Sequence, residues 1–185
     1  MSNMKKLVVG VLVLASVALI TFSAEAQTLP KGIDAEAYEY IQKNYVGTSF
    51  PAISSGLIGS ATKKVNTVTV YEESGAPMIK VVEVTIDKHS NQQGKMETSI
   101  VTITSTAPIK ELNAYSKTVA IAWTGTIFID CTNQKKCWTS VAEVKGAAPM
   151  RMTSDSNGFR MVSESYAREL TKVFARLLGS GGANR

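Results

Sequence analysis

The 185-residue chain holds one histidine, two cysteines and only 7% aromatic residues, and each scarcity removes a class of chemistry. A Ser-His-acid hydrolase needs its histidine beside a nucleophile, but His89 lies in the polar turn DKHSNQQG, where a solvated surface group is the expected role. A zinc site draws three or four Cys, His or carboxylate ligands at defined spacings, and neither paired CxxC nor HExxH occurs. No GxGxxG follows a strand and no GxxxxGK[ST] is present. The Gly56 and Gly59 pair lacks the lysine and the helix that would make it a phosphate cradle. No catalytic residue, metal or cofactor is therefore expected. Aromatic and basic residues do not interleave as a single-strand nucleic-acid platform requires.

Long apolar runs are also missing, with one exception at the start. Residues 1–26, MSNMKKLVVGVLVLASVALITFSAEA, carry Lys5 and Lys6, then an uncharged stretch from Leu7 to Phe22, then Ala24-Glu25-Ala26. Positive, apolar and small-residue regions in that order describe a secretory signal peptide, with cleavage expected before Gln27. The competing reading is a retained anchor, since the 16 mostly apolar residues from Leu7 to Phe22 lie just short of the ~17 to 25 of a spanning helix, but the small-residue site fits cleavage better. No cysteine stands near the cleavage site, which excludes a lipoprotein. Losing residues 1–26 would leave 159 residues, enough for one domain with its own core, and would lower the formal charge from +5 to +4. That mild surplus bears on non-specific contact with anionic polymers or lipid rather than on fold.

After a linker at 27–33, Asp34 stands as an N-cap before AEAYEYIQKNY, with Tyr38, Ile41 and Tyr45 at helical spacing. Residues 46–64, rich in Gly, Ser and Thr, are read as an irregular connection. From Val65 the period becomes two, giving strands at about 65–72, 79–87 and 96–104, separated by EESGAP and KHSNQQGK. Pro108 interrupts, IKELNAY allows one helical turn, and KTVAIAWTGTIFID reads as a fourth strand. CWTSVAEV gives a fifth, 146–159 a second irregular connection, and MVSESYARELTKVFARLL a closing helix. Its stripe of Val162, Tyr166, Leu170, Val173, Phe174, Leu177 and Leu178 demands a cover. The expected class is α+β: an antiparallel sheet of about five strands, covered on one face by the long C-terminal helix, with a short N-terminal helix, all in a single domain at 34–178. A flexible tail follows at 179–185.

Carboxylates at facing positions could cleave glycosides. Glu83 interrupts the apolar run VVEVTI, and strict alternation puts it with Val81 and Thr85, opposite Val82, Val84 and Ile86. A charge on the solvated face is the expectation for it.

Two cysteines in an exported chain pair as a matter of course. Cys131 and Cys137 flank TNQKK between TIFIDC and CWTSVAEV, so a disulfide closing a β-hairpin tip is expected, with Lys135 and Lys136 displayed on the loop. A redox role would use CxxC at a helix N-terminus. Arg168, Lys172 and Arg176, four apart on the closing helix, form a basic stripe that could meet a protein partner, an anionic envelope polymer or a lipid surface. Trp123, Tyr166 and Phe174 could line a pocket between helix and sheet.

With no catalytic constellation, the reading is an exported, non-enzymatic cell-envelope protein: a structural, adaptor or assembly component of a periplasmic or outer-membrane complex, such as a secretion or surface-appendage system. A periplasmic small-ligand or polymer-binding module is the alternative, and an unrecognised hydrolase the third.

Overall fold

The computed structural model describes residues 28–52, 59–119, 124–132, 135–160 and 163–179. The expectations for the leader at 1–26, for Trp123 and for residues 180–185 lie outside them. In chain order the elements are α1 (Ala35–Asn44), β1 (Ser49–Ala52), β2 (Gly59–Glu73), β3 (Ala76–Ser90) and β4 (Met96–Pro108). A 3-10 turn (Ile109–Glu111) leads to β5 (Leu112–Val119), β6 (Thr124–Cys131), β7 (Trp138–Val144), β8 (Met150–Ser154), β9 (Ser156–Arg160) and α2 (Glu164–Leu177). Among the described residues nine strands form two antiparallel sheets, one ordered β1-β2-β3-β4-β7-β8 and the other β5-β6-β9. The class is α+β, as the patterning predicts, but about five strands in one sheet becomes nine in two.

Local chemistry accounts for the ends of these elements. The Asp34 carboxylate accepts from the Ala37 amide at 2.9 Å and starts α1. Ser163 plays the same part for α2, accepting from Tyr166. The β2–β3 hairpin closes through Ser74 and Gly75, both at positive φ, the two-residue turn whose twist matches antiparallel strands. Gln42 of α1 donates to the Val68 carbonyl at 2.6 Å, just past a register shift between Val65 and Thr67. The helix thus satisfies a ladder group that β1, only four residues long, does not reach.

Three strand expectations need correction. The irregular stretch 46–64 contains β1 and the first six residues of β2, which pair Phe50 with Lys63 and Ala52 with Ala61. Glycine and serine hid this pairing, since edge strands need little side-chain packing. The supposed fourth strand is two strands, β5 and β6, paired with each other from Leu112↔Cys131 to Val119↔Thr124. Residues 146–159 contain β8 and all of β9 but its last residue, strands that carry mostly polar side chains and so lack an alternating signal.

The core joins both sheets and both helices. Val68, Val70, Ile79 and Val81 of the larger sheet meet Leu112, Ile127, Ile129 and Phe159 of the smaller, and Ile41, Leu170, Phe174 and Leu177 of the helices. The closing helix therefore does cover a sheet, but it lies on β5 and β6 and leaves the six-stranded one to α1 and to the smaller sheet. Its approach is close: a Cβ on Gly125 would come within 2.4 Å of Ala167 Cβ and 2.9 Å of Glu164 Cα. Tyr45, Phe159 and Phe174 pack together, Tyr45 edge-on to both at 6.2 and 5.7 Å between ring centroids, an arrangement favoured by the ring quadrupole.

Every crossing between the sheets passes one spot. Cys131 ends β6 and Cys137 precedes β7, and they form a disulfide with Cα atoms 5.8 Å apart. The bond does not close a hairpin, as the sequence pattern led one to expect, because β6 pairs with β5 and β9 whereas β7 pairs with β4 and β8. Period-two runs on both sides of a short polar loop cannot distinguish a hairpin from a change of sheet. Beside the disulfide, the Cys131 amide donates to the carbonyl of Asp155, where β8 bends into β9, at 2.7 Å. The Thr132 amide donates to Glu111, where the third crossing runs from β4 to β5, at 2.8 Å. Strands that switch sheets at bends are a known way of making such corners.

Candidate functional site

The register divides the larger sheet into two faces of opposite character. Toward the core, successive cross-strand rows read Val70–Ile79–Ala107, then Val68–Val81–Ser105–Ser140–Met152, then Val65–Glu83–Ile103–Ala142–Met150. Farther out they become Phe50–Lys63–Thr85–Val101–Val144, Ala52–Ala61–Asp87–Ser99 and Gly59–His89–Glu97. Hydrophobic rows thus give way to ionisable ones along the same face. Glu83 is not on a solvated surface: it is 5% exposed and points to the core side. The expectation failed because alternation names two faces without saying which is covered.

Glu83 accepts from Lys63 Nζ at 3.3 Å, a partner contributed by the preceding strand. Burial raises the Glu83 carboxyl above its ordinary range, with the Lys63 ammonium pulling the other way. Tyr45 lies fully buried nearby; its burial first, and the Glu83 charge second, push the phenol well above the usual range. Among the described residues the Tyr45 hydroxyl has no hydrogen-bond partner. His89 Nδ1 stands 3.5 Å from Asp87 Oδ2 at the outer end of the track.

Glu83 and Asp87 are not spaced as the carboxylate pair of a glycosidase. They share a strand four residues apart, which separates them by about 13 Å along it, whereas glycosidic carboxylates stand about 5 to 9.5 Å apart. Among the described residues no group of three His, Cys, Asp or Glu side chains is placed to share a metal ion.

Among the described residues no helix packs on the opposite face. Its rows read Thr69–Lys80–Thr106–Thr139–Thr153, Thr67–Val82–Thr104–Val141–Arg151, Lys64–Val84–Thr102–Glu143, Thr62–Ile86–Ile100 and Ser60–Lys88–Thr98. Every one of these side chains is exposed or half-buried. Sequence reading assigned Val82, Val84 and Ile86 to the core; Lys80 and Lys88, which share their parity, were the signal that they face outward.

The remaining sequence candidates fall as follows. Arg168 pairs with Glu164, one turn back. Arg176 grips Asp34 at 2.9 Å and Glu36 at 3.0 Å, tying the last turn of α2 to the first of α1. Only Lys172 of the stripe stands exposed without an ion-pair partner among the described residues. Phe174 is in the core, and the Tyr166 hydroxyl donates to the Asn44 carbonyl. Lys135 and Lys136 are exposed beside the disulfide. No helix among the described residues is long and apolar enough to cross a membrane.

Compared with protein-family models, with curated proteins and with solved structures, the chain matches none.

Proposed function

We propose that the chain is exported through its N-terminal leader and serves as a non-enzymatic component of the cell envelope, a structural or adaptor element rather than a catalyst. The observation that carries this reading is the six-stranded sheet, one broad face of which has no helical cover among the described residues, and which ends in an edge strand, β8, with Met150 and Met152 exposed. Unpaired edges and uncovered faces are where sheets recruit other molecules. The disulfide at the junction is compatible with an oxidising compartment, and the leader's composition supports the same address.

Fractionation of the producing cell, with the N-terminus read by mass spectrometry, tests the address. The expected result is a chain beginning at Gln27 in the envelope or periplasmic fraction. A full-length chain in the cytosol overturns it. Crosslinking in the same cell, followed by identification of the partners, tests the adaptor role, and recovery of monomer alone sinks it.

A second reading, a small-ligand module, is favoured by the unpartnered Tyr45 hydroxyl beside the Lys63–Glu83 pair.

A further inference from the structure

We propose that the far end of the uncovered face, where Ile86, Ile100 and Met96 stand among Lys64, Lys88 and Lys95, docks on the surface of an anionic lipid bilayer. The inference rests on the envelope placement proposed above and names what the uncovered face meets there.

Two independent properties coincide at this spot. The first is apolar exposure: Ile86 is 42% exposed, Ile100 49% and Met96 58%. Ile86 and Ile100 are register partners on β3 and β4, so their side chains adjoin, and Met96 opens β4 on the same face. Exposed aliphatic groups at the turn end of a sheet face, with no element of the described residues packed over them, are poorly placed for a core and well placed to enter the headgroup boundary.

The second is charge. Lys88 lies one row beyond the isoleucines, Lys64 one row before them on β2, and Lys95 closes the β3–β4 turn immediately before Met96. All three are exposed, and none has a carboxylate partner within ion-pair distance among the described residues. Along the rest of the face Lys80 and Arg151 add two more cations, against the carboxylates of Glu143 and, at the β2–β3 turn, Glu73. A second copy of the chain laid on this face would set like charge against like. An anionic lipid layer meets both properties together: ammonium groups reach the phosphates while the lysine stems and the three apolar side chains lie in the interface.

The contribution of a cation near an anionic surface corresponds to about fivefold in partitioning. The experiment is co-sedimentation of the chain, as recovered from the producing cell, with large unilamellar vesicles of phosphatidylglycerol and phosphatidylcholine, and with phosphatidylcholine vesicles alone. The wild-type chain should sediment with the anionic vesicles and not with the neutral ones. Lys64→Gln with Lys88→Gln should lower partitioning by about 25-fold, and Ile86→Thr with Ile100→Thr should lower it by at least about fivefold.

Lys43→Gln with Lys172→Gln, which removes the same charge from the two helices, should leave partitioning unchanged. Thermal midpoints keep the comparison to folded chains, and all variants share one N-terminus, so a retained leader cannot produce the differences. Equal sedimentation of all variants, equal loss in the helix control, or loss with the lysines but not with the isoleucines overturns lipid docking. The last outcome would point to an anionic polymer. A chain that fails these arms while residing in the envelope sinks only the docking; a cytosolic chain sinks the placement.

Discussion

The indole Nε1 of Trp138 donates to the carbonyl of Ile129 at 2.8 Å, which links the first residue of β7 in the larger sheet to β6 in the smaller. Trp138 is fully buried, so this hydrogen bond is made away from water and the indole fills the angle between the sheets. Trp138→Phe keeps most of the volume and leaves the Ile129 carbonyl without that donor. It should cost about 1 to 3 kcal/mol. Chemical denaturation followed by far-ultraviolet circular dichroism measures this, and a loss below a few tenths of a kcal/mol would show that the bond contributes nothing net.

Opening the Cys131–Cys137 bond releases a loop of short sequence separation, and chain entropy assigns about 2 kcal/mol to such a closure. For a domain of this size that corresponds to a fall of roughly 4 to 8 °C in Tm. The double variant Cys131→Ala with Cys137→Ala should show it in calorimetry, and reductant should lower the wild-type midpoint toward the same value while leaving the variant unmoved. A reductant effect of equal size on the variant would contradict the assignment.

The pH profile of stability tests the burial of Glu83. Its carboxyl is raised above the ordinary 4.5 by burial, so the folded chain holds this proton at pH values where the unfolded chain has released it. Stability from this group is thus full below about pH 4.5 and falls as pH rises through the folded value. Asp34 acts in the opposite sense: its carboxyl is lowered by the Ala37 amide and by Arg176, and its contribution is lost as pH falls below the ordinary 3.8. Glu83→Gln should flatten the decline above pH 4.5 in urea denaturation series, with no loss of stability at pH 7. An unchanged slope would place the titration elsewhere.

Gly125 marks the closest approach of α2 to β6. Gly125→Ala should destabilise by about 1 to 3 kcal/mol through overpacking, because the new methyl meets Ala167 Cβ and the Glu164 backbone. Adding Ala167→Gly removes the side-chain half of that conflict and leaves the backbone half, so it should restore part of the loss relative to its own single variant. Full additivity in the double-mutant cycle would show that the two positions do not meet.

Period-two runs made β3, β4 and β7 legible, and the apolar stripe of α2 was readable because Leu170, Phe174 and Leu177 repeat at helical spacing. Asp34 marked the start of α1 through its capping oxygen, whereas Ser163, the cap of α2, was passed over inside MVSESY. What could not be read was pairing. DCTNQKKCW looks like a hairpin from either side, and only the partners of β6 and β7, distant in sequence, reveal a change of sheet. The ionisable track was hidden for the same reason, since Lys63 and Glu83 become neighbours through the β2–β3 register rather than through any local spacing.

The crossing at Cys131–Cys137 also bears on exchange between molecules. Two copies could trade their smaller sheets only if the connecting segments stretched, as hinge loops do in domain swapping. Six residues fully extended would span about 20 Å, but the disulfide holds the two Cα atoms at 5.8 Å. The crossings through Asp155 and through the Ile109–Glu111 turn are as short. An oxidised chain is therefore confined to closing on itself, and at high concentration it is protected from entangling with its own copies.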